Sequence, residues 1–232
     1  MDDTAILNGL HPYTSDEVFE QILKNIIEFK LKPGQRISEN EMSAKFNVSR
    51  SIIRTAFARL QQLKFIEVYP QRGTYISLID LNDIADLLLL RTAVEKEVIF
   101  EMFRYLKKET RINLINKLEE NMAQQEKCRN EQNYYGKFPS LDSSFHMIMI
   151  NSVGRKSLVE RLSDAMLHIA RWRNFDVEFG NRIPQLINEH RAIVDALKRD
   201  DMLLAQDKLA EHLETISEIS DAAKKIYPEY FK

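Results

Sequence analysis

Residues 36–77 contain the pattern that most restricts how this chain can fold. Ser38 and Glu41 have the spacing of a helix capping box, and Ser49 can cap a second helix after a short turn. Two segments of alternating polarity then flank residues 70–73, as expected for a β-hairpin. This order of helix, tight turn, helix and hairpin predicts a winged helix-turn-helix domain.

The charge of this segment differs from that of the whole chain. Residues 45–72 include six basic residues and one acid, whereas the complete chain of 232 residues has 33 Lys and Arg and 35 Asp and Glu. A cationic helix and wing on a nearly neutral protein favour duplex DNA as the partner, although a solvated basic helix is the alternative interpretation. The predicted DNA-binding residues are donors in the first turn of the second helix and at the wing tip: Ser49, Arg50, Ser51, Arg54, Arg72 and Gly73.

Residues 14–79 resemble the winged-helix domain of GntR-type bacterial regulators. The motifs that carry the resemblance are PGQRISE at 33–39, VSR at 48–50, ARL at 58–60, PQRG at 70–73, and Arg54. The resemblance implies that Arg50, Arg54 and the wing turn contact operator DNA, and it adds Arg36 to the predicted set. Ile52 and Thr55 stand where the family usually has proline and glutamate, which would alter the preferred bases.

Beyond Ile79 the periodicity of apolar residues is helical. The predicted helices span 82–106, 109–130, 139–153, 156–174, 183–198 and 201–226. We therefore expect a mostly α-helical protein with an N-terminal winged helix-turn-helix and a C-terminal all-helical antiparallel bundle. The expected domains are an N-terminal arm, a DNA-binding domain and an all-helical domain: residues 1–13, 14–79 and 80–232.

Composition narrows the class of protein further. The hydrophobic fraction of 44% supports a packed core, and the longest apolar run, residues 87–90, is too short to span a bilayer. The acidic N-terminus lacks the apolar segment of a signal peptide. Cys128 is the only cysteine, so an internal disulfide is impossible; its polar neighbours predict a position on a helix surface. These features predict a cytoplasmic protein with no membrane partner.

Three of the five histidines fall on apolar faces of three different predicted helices. His146 shares a face with Asp142, and His190 and His212 each lie in line with aliphatic residues. Burial of three imidazoles is costly unless a shared partner satisfies them, as a divalent cation would. Three nitrogens and one carboxylate suit Zn²⁺, Ni²⁺, Mn²⁺ or Fe²⁺. The residues alone leave both a metal site and a metal-free polar network open.

Residues 82–226 also resemble the all-helical FCD effector domain of the FadR subfamily. The motifs are DxxxH at 142–146, EHRxIxxAL at 189–197 and HL at 212–213. The resemblance implies a divalent metal in a central cavity, zinc being the ion expected in purified protein, with four ligands: Asp142, His146, His190 and His212. It also implies that Arg91 holds the carboxylate of a small effector; the alternative is an exposed intrahelical pair with Glu95.

The leading hypothesis is a bacterial transcription regulator that binds double-stranded operator DNA as a homodimer. A small carboxylate effector at the metal site would alter operator binding, and no enzymatic activity is expected. One alternative is a metal-dependent hydrolase or lyase fused to a DNA-binding head, because such a site can activate water. Another is a metal-free regulator that responds to an acyl-type ligand. The sequence leaves open whether effector binding releases or promotes DNA contact.

Overall fold

The structure is a computed structural model that describes residues 13–131, 136–180, 182–214 and 224–232. The chain divides into two compact units, Met1–Leu78 and Ile79–Lys232. Residues 1–12 of the predicted arm lie outside the described residues. Tyr13, the last residue of that arm, packs edge-on against Phe46, with 5.7 Å between the ring centroids.

Within its described residues, the first unit has three helices and a three-stranded antiparallel sheet. The elements are α1 (Ser15–Ile27), β1 (Arg36–Ile37), α2 (Glu39–Phe46), α3 (Arg50–Gln62), β2 (Ile66–Tyr69) and β3 (Gly73–Ile76). The strand order is β1-β3-β2, so the hairpin of β2 and β3 carries β1 on its other edge. The sequence did not predict β1, because two residues are too few to show an alternating pattern.

Local signals fix the helix boundaries of this unit. The Ser38 side chain accepts the backbone N–H of Glu41 at 3.1 Å, which is one half of the predicted capping box. The reciprocal box forms at the start of α1, where Thr14 and Glu17 each accept from the other's backbone N–H. Asn47 adopts a left-handed conformation with φ of 52° and forms the predicted short turn between α2 and α3.

The core of this unit lies between α1 and α3, which pack against each other. The apolar residues at helical spacing on these two helices are buried: Val18, Phe19, Ile22, Leu23, Ile26, Ile53, Phe57 and Leu60. Each large apolar side chain of this kind stabilises the fold by about 1.5–3 kcal/mol when fully buried. Phe29 lies past the end of α1, with φ of 55°. Burial of one face of α3 leaves its polar face toward solvent.

The second unit is helical along most of its described length. Its helices are α4 (Leu81–Tyr105), α5 (Lys108–Lys127), α6 (Phe138–Ser152), α7 (Lys156–Gly180), α8 (Ile183–Lys198) and α9 (Met202–Glu214). These bounds agree with the predicted spans except that α7 continues beyond residue 174. The predicted last helix spans 201–226, and its residues 215–223 lie outside the described residues. No described helix is both long and apolar enough to cross a membrane.

The helices of this unit enclose one hydrophobic cluster. α8 packs against α5 and α9, and α4 packs against α6, α7 and α9. Cys128 belongs to the cluster and is 3% exposed, so the prediction of a surface position is wrong. Its Sγ donates to the carbonyl oxygen of Gln124 at 3.7 Å. The position follows Leu118 and Gln125 on the inner face of α5, and the polar neighbours in sequence obscured that periodicity.

Candidate functional site

The first turn of α3 is exposed and rich in hydrogen-bond donors. Ser49 caps the helix by accepting the backbone N–H of Ile52 at 3.5 Å. The opposite face is anchored by buried Ile53. The structure therefore places four of the predicted DNA-binding residues on one exposed turn: Ser49, Arg50, Ser51 and Arg54.

Both arginines of this turn contact Glu39, the first residue of α2. Arg54 donates from Nε to Oε1 at 3.2 Å and from Nη2 to Oε2 at 3.1 Å. Nη2 of Arg50 lies 3.5 Å from Oε2. The hydrogen bonds from Arg54 hold the pKa of Glu39 below its ordinary value. This contact was not predicted from the sequence, where its signal is an acid placed directly after the capping Ser38.

The wing joins β2 and β3 through a tight turn. Gly73 has φ of 118°, a conformation that favours glycine, and a Cβ at this position would lie 2.9 Å from Nε of Arg36. The Tyr75 hydroxyl donates to the carbonyl oxygen of Arg72 at 3.2 Å and braces the turn. The structure therefore places Arg36 beside the wing tip and leaves Arg72 exposed on it.

Four buried polar residues converge in the second unit. α6 contributes Asp142 and His146, α8 contributes His190, and α9 contributes His212. One candidate ligand atom from each residue lies within 4.8 Å of the other three. The fold thus brings together residues that the sequence separates by as many as 70 positions, a span read from 142 and 212.

Each imidazole of this cluster is oriented from outside through its Nδ1. The contacts are His146 to Oε2 of Glu95 at 2.6 Å, His190 to Oε1 of Gln125 at 2.8 Å, and His212 to Oε2 of Glu189 at 2.8 Å. Nε2 of Gln125 donates to Asn121 at 2.7 Å, which turns its oxygen toward His190. With acceptors at Nδ1, each Nδ1 carries the proton and each Nε2 presents a lone pair to the centre. Outer residues orient metal-binding histidines in this way.

The inner nitrogens cannot satisfy one another. The Nε2 atoms of His146 and His212 are 3.3 Å apart, and in these tautomers two lone pairs face each other. Nε2 of His190 makes no hydrogen bond to the described residues and lies 3.5 Å from Oδ1 of Asp142. Buried lone pairs opposed to one another and to a carboxylate carry a cost that a cation would remove. Three nitrogens and one carboxylate therefore fit a divalent metal.

Burial keeps the three imidazoles neutral. It is the largest cause of the lowered pKa in each, and it brings the pKa of His212 to about 3 with the help of the positive charge on Arg173. Burial alone would raise the pKa of Asp142, but electrostatic interactions, of which the positive charge on Arg173 is the largest, outweigh it and the pKa lies well below its ordinary value. Neutral imidazoles and an ionised carboxylate are the protonation states that metal binding requires.

Arg91 is buried at 2% exposure, so the exposed pair considered as an alternative is not present. Its Nε donates to Oε1 of Glu95 at 2.6 Å, and Glu95 thereby links Arg91 to His146. Nη2 of Arg91 has no hydrogen-bond partner among the described residues. The sequence could not orient Arg173, which donates from Nη1 to Oδ1 of Asp142 at 3.2 Å. The spacing of buried Leu88, Arg91 and Glu95 on α4 was the signal for an inward polar pair.

A winged helix with an exposed basic turn, joined to a helical unit with a buried polar centre, defines a two-domain transcriptional regulator. Residues 14–76 match the family described as bacterial regulatory proteins, gntR family, and residues 86–215, more than half of the chain, match the FCD domain. The chain belongs to the FCD-type branch of the GntR family of DNA-binding transcriptional regulators.

Similar proteins are also described as HTH-type transcriptional regulators. The HTH-type transcriptional repressor RspR of Escherichia coli K12 is 26% identical over 212 residues, covering 91% of this chain and 90% of that protein. An HTH-type regulator in an unstable DNA locus of Streptomyces ambofaciens is 26% identical and covers 93% of this chain and 88% of its own length. These relatives are regulators and not enzymes, which sets aside the hydrolase or lyase alternative.

Solved structures share the fold. The structure described as E. coli McbR/YncC has a TM-score of 0.70 at 15% identity, with 90% of this chain and 97% of that chain covered. A putative GntR regulator from Rhodococcus sp. RHA1 has a TM-score of 0.66 at 20% identity, with coverage of 90% and 98%. At these identities the likeness concerns the fold alone.

Proposed function

We propose that this regulator binds operator DNA as a homodimer in the bacterial cytoplasm and is controlled by a small carboxylate effector at a divalent metal site. One observation carries the metal part of the proposal. Three imidazoles are held at Nδ1 by outer acceptors, so that their Nε2 lone pairs converge with the carboxylate of Asp142. A bound cation would remove the free-energy cost of burying these lone pairs beside a carboxylate.

The DNA-binding part assigns direct contacts to two elements of the first unit. The residues are Arg36, Ser49, Arg50, Ser51, Arg54, Arg72 and Gly73. The first turn of α3 supplies exposed arginine and serine donors suited to base edges and phosphates in the major groove. Glycine at the wing tip allows the backbone to approach DNA closely, with Arg36 and Arg72 beside it.

The metal and effector part assigns roles to residues of the second unit. Asp142, His146, His190 and His212 would hold the ion, with zinc expected first and nickel, manganese and iron as alternatives. A bound divalent cation would supply a Lewis acid for the oxygen atoms of the effector. Arg91 would hold an effector carboxylate, because its Nη2 is buried and has no hydrogen-bond partner among the described residues.

Dimerisation follows from the size of the DNA-reading surface. A single winged helix reads only a few base pairs, so two copies on a palindromic site are the usual route to specific binding. An effector can change operator binding only if it binds two arrangements of the protein with different affinities. The effector would therefore favour one arrangement of the two DNA-binding units over another.

Elemental analysis tests the metal centre directly. The protein is purified without chelator or histidine tag beside an Asp142→Ala/His190→Ala variant, and His168→Ala on α7 serves as the matched control outside the cluster. We expect about one equivalent of metal per chain in the parent and in the control, and none in the double variant. Absence of metal from all three after incubation with Zn²⁺, Ni²⁺ or Mn²⁺ would establish the metal-free alternative instead.

DNA binding is tested separately. Selection from a random-sequence duplex pool at low salt should enrich a palindromic site, and the enriched duplex should bind two chains. Failure to enrich any sequence would overturn the assigned DNA-binding role without affecting the metal analysis.

A further inference from the structure

We propose that Glu39 is a positioning residue for DNA recognition, which holds Arg54, and to a lesser extent Arg50, in the orientation that reads a base. This inference rests on the proposed DNA contacts of the two arginines. It adds an acidic residue to a surface that would otherwise be selected for positive charge alone.

The position of Glu39 is fixed by the fold. It is the first residue of α2, directly after Ser38, which caps that helix through Glu41. From there its carboxylate reaches α3, where it accepts two hydrogen bonds from Arg54 and lies 3.5 Å from Nη2 of Arg50. The two helices of the helix-turn-helix are thereby linked at the turn that faces DNA.

The contact leaves the reading edge of Arg54 available. A guanidinium has five N–H donors, and Glu39 takes one from Nε and one from Nη2. The Nη1 side, with the second hydrogen of Nη2, still offers two parallel donors. Two such donors match O6 and N7 of guanine, the commonest specific contact in the major groove.

Stability of the free protein does not explain the arrangement. The Arg54 and Glu39 side chains are 67% and 29% exposed, and ion pairs of this kind contribute little in water. A carboxylate near phosphates also opposes non-specific binding. Its benefit arises when DNA excludes water, because the hydrogen bonds then strengthen and the arginine has already lost its rotamer freedom.

Two roles of Glu39 predict opposite results for Glu39→Gln. If the carboxylate only repels phosphate, its removal strengthens binding to every duplex alike. If it positions Arg54, binding to the selected site weakens relative to other DNA. We expect the ratio of affinities for the selected duplex and for a shuffled duplex of equal composition to fall by about three- to tenfold, a part of what a bidentate arginine–guanine contact contributes.

The experiment compares this ratio among matched variants. Glu41→Gln removes the same charge from the same turn of α2, and Arg54→Ala removes the arginine. The proposal requires that Glu41→Gln leave the ratio unchanged. It also requires that Glu39→Gln change the ratio much less in the Arg54→Ala background, where only the weaker contact with Arg50 remains. Circular dichroism melts confirm that each variant is folded.

Each remaining outcome contradicts a specific part of the proposal. An unchanged or increased ratio in Glu39→Gln, together with a loss in Arg54→Ala, overturns the positioning role and leaves the DNA contact of Arg54 intact. An unchanged ratio in Arg54→Ala overturns the DNA contact on which the inference rests. Failure of the parent protein to enrich any duplex overturns both.

Discussion

The two units use charged residues in opposite ways. In the first unit the candidate residues are exposed, lie close together in sequence, and pair weakly with neighbours such as Glu39. In the second unit they are buried, come from four helices, and each imidazole is bound to a specific outer acceptor. The first arrangement suits a partner that arrives from solvent, and the second suits a ligand enclosed by the fold.

This difference has an energetic consequence. Exposed arginines are solvated, so their substitution should change DNA binding and leave stability nearly unchanged. The buried cluster has its lone pairs and charges outside bulk water, so its occupancy and protonation should control stability. The exposed arginines and the buried cluster can therefore be tested separately.

Acidification of chelator-treated protein is expected to have the largest effect. The folded-state pKa values of His146, His190 and His212 lie below the ordinary 6.5, so the unfolded chain binds more protons below that pH. Stability is therefore full above about pH 6.5 and falls as the pH decreases, by up to about 1.4 kcal/mol per pH unit for each histidine. Urea unfolding followed by fluorescence of Trp172, the only tryptophan, measures this loss.

The first unit supplies the control for this prediction. Residues 13–78 contain no histidine, so protection of α3 from hydrogen exchange, corrected for the intrinsic rate, should not follow the same pH dependence. Parallel loss of protection in both units would contradict the assignment of the acid sensitivity to the buried cluster.

Metal removal at neutral pH is expected to have the next largest effect. A ligand that binds only the folded state stabilises it by about 4 kcal/mol when present at about a thousand times its Kd. For a chain of this length the melting temperature reported by Trp172 should fall by about 10 °C on addition of chelator. His190→Ala should show no metal-dependent shift; an equal shift in that variant would place the metal elsewhere.

The same difference between the units explains what the sequence could predict. Ser38, Asn47 and Ser49 act within a few residues of themselves, so the helix-turn-helix follows from local chemistry, and the structure confirms those caps and that turn. The inward faces of α6, α8 and α9 also follow from periodicity, and their histidines are buried.

Hydrogen-bond partners and side-chain directions that depend on tertiary packing could not be predicted from the sequence. Glu95 and Gln125 each orient a histidine from a helix remote in sequence, and the inward direction of Arg173 depends on how α7 packs. Cys128 was misassigned for a related reason, because a polar sequence context does not reveal which single position faces the core. The two-residue strand β1 forms only because β3 offers it an edge.

Arg50→Ala is expected to have an effect confined to DNA binding. Removal of one exposed donor of α3 should weaken binding to the selected duplex by about 1–3 kcal/mol if it contacts a base, and should reduce the slope of log affinity against log salt by about one if it contacts phosphate. The free energy of unfolding should change by less than about 0.5 kcal/mol. Fluorescence anisotropy at several salt concentrations measures the first two quantities.

Arg173→Met provides the opposite case for comparison. It removes the buried partner of Asp142, so it should destabilise the helical unit and leave the salt dependence of DNA binding unchanged. If the slope of log DNA affinity against log salt changed in Arg173→Met but not in Arg50→Ala, DNA binding would depend on the buried cluster and not on the exposed arginine.

Gly73→Ala is expected to have a small effect on stability and also to affect DNA binding. At φ of 118° an alanine is strained, and its Cβ would lie 2.9 Å from Nε of Arg36, a flexible side chain that can move aside. We therefore expect a loss of about 1 kcal/mol in the free energy of unfolding, measured by urea titration. Because the displaced Arg36 and the wing tip both belong to the proposed DNA surface, affinity for the selected duplex should fall as well. A stability loss with unchanged affinity would remove the wing, but not α3, from that surface.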